Sequence, residues 1–249
     1  VSKDEKELVS LEDYVGRMKK DQKEIYYSLG TSKEAIDLNP HLEIFKAKGL
    51  EVLYLYDPVD EFVVSSIRKH KDFDFKSVDG VNLKELDKLE DVEKNEEPKE
   101  KFSKEDDKAF GKLLLKMKEI LGDRVTEVHE SKRLKGSPSC LINPEDTMSS
   151  TMQKILKMSN QGMAMPPQKR LMEINKDHKL IKNLMNVFKK NESDQFIADT
   201  TEQLYESALL LEGNLEDPHK LVNRLNKMLT DASELYVASP SPSKGGEQK

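Results

Sequence analysis

The side chains of this chain best suited to a binding surface are its methionines. Five of the ten methionines fall between Met148 and Met165, in a run that ends at Pro166 and Pro167. Methionine is unbranched and polarizable, so it fills irregular gaps in a core and also adapts to varied partners at a surface. The run is therefore either core filler or an adaptable apolar binding surface, and its composition leaves both interpretations open.

The spacing of this run predicts an amphipathic helix followed by an apolar loop. Apolar residues recur at helical spacing up to residue 156 and continue into the loop before the two prolines. A segment of this kind is hard to bury completely, and an exposed apolar patch marks an interaction site. The candidate binding residues are Met148, Met152, Ile155 and Leu156 on the helix and Met163 and Met165 in the loop, whereas Met158 lies off the helical face.

Catalytic and metal-binding patterns are not recognisable in the sequence. The glycines form neither of the common phosphate-binding loops, GxxxxGK[ST] and GxGxxG. The five histidines lack the spacing of a metal site, and a single cysteine argues against structural zinc. We expect Cys140 to be a small buried residue and His178, just ahead of an apolar helix, to cap or pack. This pattern favours a binding or assembly module over an enzyme.

Composition and charge exclude several classes of function. The 249 residues carry a net charge of −6, whereas a nucleic-acid-binding protein needs a basic domain or stripe. No apolar run approaches the length needed to cross a bilayer, and no charged-then-apolar leader opens the chain. A lone cysteine fits a reducing compartment. We therefore expect neither nucleic acid nor a membrane among the partners.

The first segment alternates strand and helix patterns. Strands are predicted at Glu24–Leu29, which Gly30 ends, and at Leu50–Tyr56, whose continuous apolar run is typical of a strand covered on both faces. Helices are predicted between these strands and from Pro58 to Lys69, before a last strand at Phe73–Val78. Strands that alternate with helices indicate a small, mostly parallel α/β unit.

The chain changes character after residue 94. A charged stretch at 95–102 is typical of a linker rather than a core element. The segment at 103–237 mixes helices and strands, and its strands at Val125–Ser131 and Ser139–Ile142 are predicted to form a hairpin or a sheet edge. Residues 238–249 are rich in proline, serine and glycine, so we expect a disordered tail. The predicted fold class is therefore an α/β unit joined to a mixed helix–sheet domain.

Two amphipathic helices are predicted at the end of this segment, at 193–212 and 217–236. Apolar residues recur on each at steps of four and three, and the short connection folds the pair into an antiparallel hairpin. Such broad stripes need a third surface, either the sheet of the same domain or a second hairpin in a symmetric four-helix bundle. Periodicity leaves both options open. The predicted dimer-interface residues are Ile197, Leu204, Ala208, Leu211, Leu221, Leu225, Met228, Leu229 and Ala232.

Four blocks of the sequence resemble the heat-shock protein 90 chaperones, in their bacterial HtpG branch. The blocks are SLEDYVGRMKKDQKEIYY at 10–27, HLEIFKAKGLEVLYLYDPVDEF at 41–62, RLMEINKDHKLI at 170–181 and LEGNLEDPHKLVNRLNKML at 211–229. They are long and stand in the order of the family. The resemblance extends from about Ser10 to Tyr236.

The resemblance implies that the chain corresponds to two domains of a longer polypeptide. Residues 1–94 are similar to the last α/β subdomain of the family's middle domain, and residues 103–237 to its carboxy-terminal dimerization domain. The family's ATP-binding domain and the arginine that assists hydrolysis are missing from this sequence. We therefore expect no catalytic residue, cofactor or metal here, and ATP with magnesium only in a longer parent protein.

The resemblance also implies partners. In the family the terminal helices form the dimer interface, and the segment that corresponds to 148–165 contributes to binding non-native client proteins. The expected partners are therefore a second copy of the chain and unfolded proteins. The tail SPSPSKGGEQK lacks the EEVD ending that binds tetratricopeptide co-chaperones, which favours the bacterial cytoplasm over an organelle.

Three interpretations follow. The first is a homodimeric chaperone segment in which the methionine run is an exposed client-binding surface. The second is a dimerization scaffold without client contact. The third is an enzyme that uses Cys140 or His178 in a pattern not recognised here.

Overall fold

The computed structural model describes residues 9–57, 59–81, 83–86, 89, 102–143 and 169–238. They form a first unit, residues 9–89, and a second unit, residues 102–238, each built of helices on a β-sheet. The buried side chains divide in the same way, because each hydrophobic cluster draws its members from one unit. The expected mixture of helices and sheets is confirmed. Across these ranges no helix is long and apolar enough to span a membrane.

A four-stranded sheet, in the order β2-β1-β4-β3, forms the centre of the first unit. β1 (Glu24–Leu29) lies between β2 (Leu53–Leu55) and β4 (Phe73–Ser77) and is parallel to both. The short β3 (Lys69–His70) pairs with β4 in the antiparallel sense. The prediction of a small, mostly parallel sheet is therefore confirmed.

Short helices cover both faces of this sheet. Hydroxyl groups start two of them, because Ser10 accepts a hydrogen bond from the Asp13 amide and Ser32 accepts one from the Ala35 amide. Gly49, at a positive φ of 57°, follows the third helix, as predicted. The helices are α1 (Leu11–Arg17), α2 (Lys33–Asp37), α3 (Glu43–Ala47), α4 (Asp60–Ile67) and α5 (Leu83–Leu86).

Two predicted elements of the first unit are shorter than expected. The strand predicted at Leu50–Tyr56 is limited to β2, because this strand lies at the sheet edge and pairs only with the last three residues of β1. The helix predicted to reach Lys69 ends at Ile67. Arg68 then adopts a positive φ of 57° and turns the chain into β3.

A three-stranded sheet, in the order β5-β7-β6, forms the floor of the second unit. Its strands are β5 (Val125–Glu130), β6 (Ser139–Ile142) and β7 (Arg170–Ile174). Of the two predicted arrangements, the sheet edge is confirmed and the hairpin is wrong, because β7 lies between β5 and β6 and pairs with both. β7 takes the centre because Met172 and Ile174 are completely buried in the core.

Three helices of the described second unit pack with this sheet around one core, and a fourth packs against the last of these three. Leu113, Met117 and Leu184 are completely buried there. Ser103 caps the first of these helices through a capping box with Asp106, as helix-start patterns predict. The helices are α6 (Lys104–Leu121), α7 (Lys179–Lys190), α8 (Gln195–Leu211) and α9 (His219–Ala238).

Two single residues behave as the sequence predicts. Cys140 in β6 is buried, and burial raises the pKa of its thiol well above the ordinary value, which disfavours the reactive thiolate. His178 caps α7, where its Nδ1 accepts a hydrogen bond from the Leu180 amide at 3.1 Å. Packing and capping thus account for both side chains.

Several predicted segments lie outside the described residues. They are the linker at 95–102 except Phe102, the tail at 238–249 except Ala238, and the whole methionine run from Met148 to Met165. The domain boundaries and the conformation of the run stay predictions.

The two units meet at the loop 131–138, which joins β5 to β6. Arg133 in this loop is buried, with its Nε 3.2 Å from Glu173 Oε2 and its Nη1 3.4 Å from His41 Nδ1. A guanidinium only donates hydrogen bonds, so Nδ1 of His41 must accept. The neutral imidazole therefore carries its proton on Nε2, which lies 4.0 Å from Asp79 Oδ1.

We expect His41 to make the chain less stable in mild acid. Burial lowers the pKa of His41 from 6.5, while Asp79 raises this pKa and Arg133 lowers it. Since the folded pKa lies below the unfolded one, the unfolded chain binds more protons between the two values. The contribution of His41 is complete above pH 6.5 and is lost as pH falls through the lowered folded pKa.

Thermal unfolding of the wild type and of His41→Asn between about pH 5 and 8 checks this expectation. Between pH 6.5 and about 5, the melting temperature of the variant should fall less than that of the wild type. An unchanged pH profile would contradict the assignment to His41.

Candidate dimer interface

α8 and α9 form the antiparallel hairpin that the sequence predicts. Gly213, at a positive φ of 66°, donates a backbone hydrogen bond to the Leu210 carbonyl at 2.8 Å and closes α8. The Asp217 side chain accepts a hydrogen bond from the His219 amide at 2.9 Å and starts α9. Local turn chemistry therefore fixes the point at which the chain reverses.

Two ion pairs hold the helices of the hairpin side by side. Arg224 Nη1 lies 2.8 Å from Glu206 Oε2, and Lys227 Nζ lies 2.8 Å from Asp199 Oδ2. The residue number on α8 falls as that on α9 rises, as an antiparallel pair requires. Both basic residues lie on the side of α9 that faces α8. Their charges are therefore paired within the hairpin and do not lie on the opposite side of α9.

The apolar stripe of α8 packs inside the chain itself. Ile197, Leu204 and Ala208 belong to the core of the second unit, and Leu221 at the start of α9 is also buried. Contacts within the unit already cover these four predicted interface residues. They can support an interface from beneath but offer little surface to a second copy.

The remaining predicted interface residues are more accessible. Leu211 is 63% exposed, Leu225 is 41% exposed and Leu229 is 59% exposed. Met228 and Ala232 are partly buried at the border between the two helices and solvent. Exposed apolar residues of the hairpin that were absent from the predicted set are Phe196, Leu210, Val222, Leu235, Tyr236 and Val237.

One apolar stripe runs along the outer side of α9. Its members follow at alternating steps of three and four residues, which places them on one helical face. Beside it, the hydroxyls of Thr230 and Ser233 donate to carbonyls of their own helix at 2.9 and 2.7 Å, so burial would leave neither unsatisfied. An exposed apolar stripe with such flanks is typical of a protein interface. We call these residues the α9 stripe: Val222, Leu225, Leu229, Ala232 and Tyr236.

A second exposed apolar surface, which the sequence reasoning missed, lies on and before α4. The helix sequence DEFVVSSI has four apolar residues, and of these only Val64 is buried. A two-turn helix with apolar residues on both faces cannot bury them all against one sheet. This distribution of apolar residues could have predicted the exposed surface from the sequence. We call these residues the α4 patch: Tyr56, Val59, Phe62, Val63 and Ile67.

All six predicted client-binding residues belong to the methionine run and lie outside the described ranges. Within those ranges no group of three histidine, cysteine, aspartate or glutamate residues could hold a metal ion. The candidate binding surfaces among the described residues are apolar: the α9 stripe and the α4 patch.

Comparison with known proteins gives a consistent family. The family model described as Hsp90 protein matches residues 1–248. The chaperone protein HtpG of Oleidesulfovibrio alaskensis is 44% identical over 234 residues, which cover 94% of this chain and 36% of that protein. The HtpG proteins of Nitratidesulfovibrio vulgaris and Treponema denticola are 37% and 38% identical, over 93% and 91% of this chain and 36% and 34% of their own lengths. The chain thus spans about a third of the length of these relatives.

Proposed function

Because this chain belongs to the Hsp90 family of chaperones, within its bacterial HtpG branch, we propose that it joins two copies of the chaperone and helps to bind unfolded proteins. The observation that carries the proposed dimer is the α9 stripe. Its leucines, valine and tyrosine are exposed in one chain, and such a stripe gains free energy when another surface covers it. A second copy presents the same stripe.

We propose a symmetric four-helix bundle as the form of the dimer. Two α8–α9 hairpins related by a two-fold axis would bring each α9 stripe against its counterpart, and α8 would support the pair from inside each chain. Burying a leucine completely contributes about 1.5–3 kcal/mol, and every stripe residue would be buried twice in a two-fold contact. The polar side chains beside the stripe would form the rim.

We propose that clients bind at two apolar surfaces of the chain. One is the methionine run with Met148, Met152, Ile155, Leu156, Met163 and Met165. Its support is the adaptability of methionine side chains toward varied partners. The other is the α4 patch, which is supported by the exposure of Phe62, Val63 and Ile67 on one short helix.

Charge at these surfaces should weaken client binding. Met152→Asp and Phe62→Asp should each raise the Kd for an unfolded protein roughly tenfold, because the new carboxylate loses water wherever the client covers it. Fluorescence anisotropy with a labelled, permanently unfolded protein measures this change. Leu38→Asp is the matched control, since Leu38 is exposed at the end of α2 outside both surfaces.

The outcomes separate the two surfaces. Unchanged affinity in Met152→Asp, or global unfolding of this variant, would place Met152 in a core rather than at a client-binding surface. Unchanged affinity in Phe62→Asp would remove the α4 patch from the proposal and leave the methionine run.

The alternative function is a dimerization scaffold without client contact. Photo-crosslinkers placed in turn at Met148 and Met163 should capture a bound client if the run takes part. Crosslinks to client from neither position would favour the scaffold.

We propose that this segment of the protein catalyses no reaction. Alanine at Cys140 or His178 should therefore leave client binding unchanged. ATP and magnesium would be bound by other parts of a longer chaperone. The protein would act in the bacterial cytoplasm, with no nucleic acid, membrane or tetratricopeptide co-chaperone as partner.

A further inference from the structure

The carboxylate of Glu43 reaches from the first unit into the loop 131–138 of the second. Its Oε2 accepts hydrogen bonds from the backbone amides of Lys135 at 2.5 Å and Gly136 at 2.8 Å. Its Oε1 accepts from the Ser137 amide at 2.9 Å and from the Ser137 hydroxyl at 2.5 Å. One side chain thus takes four donors that lie more than ninety residues away in sequence.

The donors belong to a loop that the second unit holds in place. Asn175 donates from its side chain to the Ser137 carbonyl and from its amide to the Pro138 carbonyl, both at 2.9 Å. At the other end, Ser131 donates its amide to the Ile174 carbonyl at 2.8 Å. Successive amides that point into one concavity make a binding site for an anion. The loop is therefore a formed receptor for a carboxylate.

The backbone of Glu43 is held in place by the first unit. Glu43 is the first residue of α3, and its neighbours Leu42, Ile44 and Phe45 are buried in the core of that unit. The carboxylate therefore has a fixed origin on one unit and a fixed receptor on the other.

The hydrophobic clusters, by contrast, do not cross between the units. Each described cluster lies wholly within the first or the second unit. Units joined through polar contacts change their relative orientation more readily than units that share a large hydrophobic interface. A carboxylate with four hydrogen bonds is then the contact best placed to fix that orientation.

We propose that Glu43 is a latch that sets the orientation of the first unit on the second, and that withdrawal of its carboxylate from the loop 131–138 lets the units turn without unfolding either. The device is independent of the proposed dimer and client surfaces. It explains why a charged side chain starts a buried helix at the junction, and it assigns the loop between β5 and β6 the role of receptor.

Glu43→Gln tests the latch with almost no change in shape. The amide keeps one oxygen acceptor but turns an NH₂ group toward N–H donors, so at least one backbone amide loses its acceptor and the negative charge is lost. Lys135→Ala is the matched control, because the donor at this position is the backbone amide and survives the change. Ser137→Ala removes only the hydroxyl donor and should have an intermediate effect.

Spin labels at cysteines replacing the exposed Ser66 and Lys108 report the distance between the units. Labelled chain is diluted with unlabelled chain so that distances between protomers do not contribute, and the buried Cys140 stays unlabelled. The wild type and Lys135→Ala should give one narrow distance distribution, and Glu43→Gln a broad or displaced one. Amide exchange at residues 135–137 should rise roughly ten- to a hundredfold in Glu43→Gln, because each charge-assisted hydrogen bond is worth one to two factors of ten.

Circular dichroism of the same variants measures helix content and so separates a change of orientation from unfolding. Unchanged helix content in a Glu43→Gln chain with a broadened distance distribution supports the latch. A distribution as narrow as that of the wild type would overturn it. So would unfolding of either unit in Glu43→Gln, because Glu43 would then support a fold rather than an orientation.

Discussion

A chain carrying Leu225→Glu together with Leu229→Glu should be monomeric at micromolar concentrations, where we expect the wild type to be a dimer. Both leucines belong to the α9 stripe and are exposed in the single chain, so the substitutions leave the fold of the protomer unchanged. In a two-fold contact they place four carboxylates in the bundle, each desolvated and facing like charges. We expect Kd to rise at least roughly a thousandfold, which corresponds to about 4 kcal/mol.

Sedimentation velocity over a range of concentrations measures this change. Leu115→Glu is the control, because Leu115 is 72% exposed on α6 of the same unit but does not belong to the stripe. This variant should remain dimeric. A double variant that stays dimeric, with its circular dichroism unchanged, would move the interface away from α9.

The second large effect concerns the buried ion pair of Arg133 with Glu173. Both side chains are only 4% exposed, and Glu173 also accepts a hydrogen bond from the Ser131 hydroxyl at 2.6 Å. Glu173→Leu leaves the guanidinium buried without its carboxylate, which should cost about 3–5 kcal/mol of unfolding free energy. The double variant Arg133→Leu with Glu173→Leu removes both charges and should recover most of that loss.

Urea unfolding followed by circular dichroism provides the comparison. Glu202→Gln is the control, since its ion pair with Arg124 lies at the surface and should contribute less than about 1 kcal/mol. A double variant as unstable as Glu173→Leu would show that leucine does not fit the site. A single variant as stable as the wild type would mean that the pair is not buried in solution.

Sequence patterns predicted the elements whose signals are local. β1 has the predicted bounds, because a run of apolar and aromatic residues favours a strand and the following Gly30 ends it. The sheet-edge alternative for β5 and β6 was right. The hairpin alternative was wrong because the strand that separates them follows later in the chain.

The candidate sites show the same division between local and distant information. Periodicity predicted apolar stripes on α8 and α9 but could not decide which stripe the chain covers by itself. The structure buries Ile197 and Leu204 and leaves Leu225 and Leu229 exposed. Glu43 has no sequence signal at all, because its receptor at residues 135–137 becomes adjacent only through the tertiary fold.

The mass of the 249-residue chain in solution shows whether the chain holds two copies together. Sedimentation equilibrium at micromolar concentration should give twice the 28.5 kDa of one chain. The wild type should keep this mass on dilution until it reaches the Kd of the dimer. A mass of 28.5 kDa at micromolar concentration would contradict the proposed dimer.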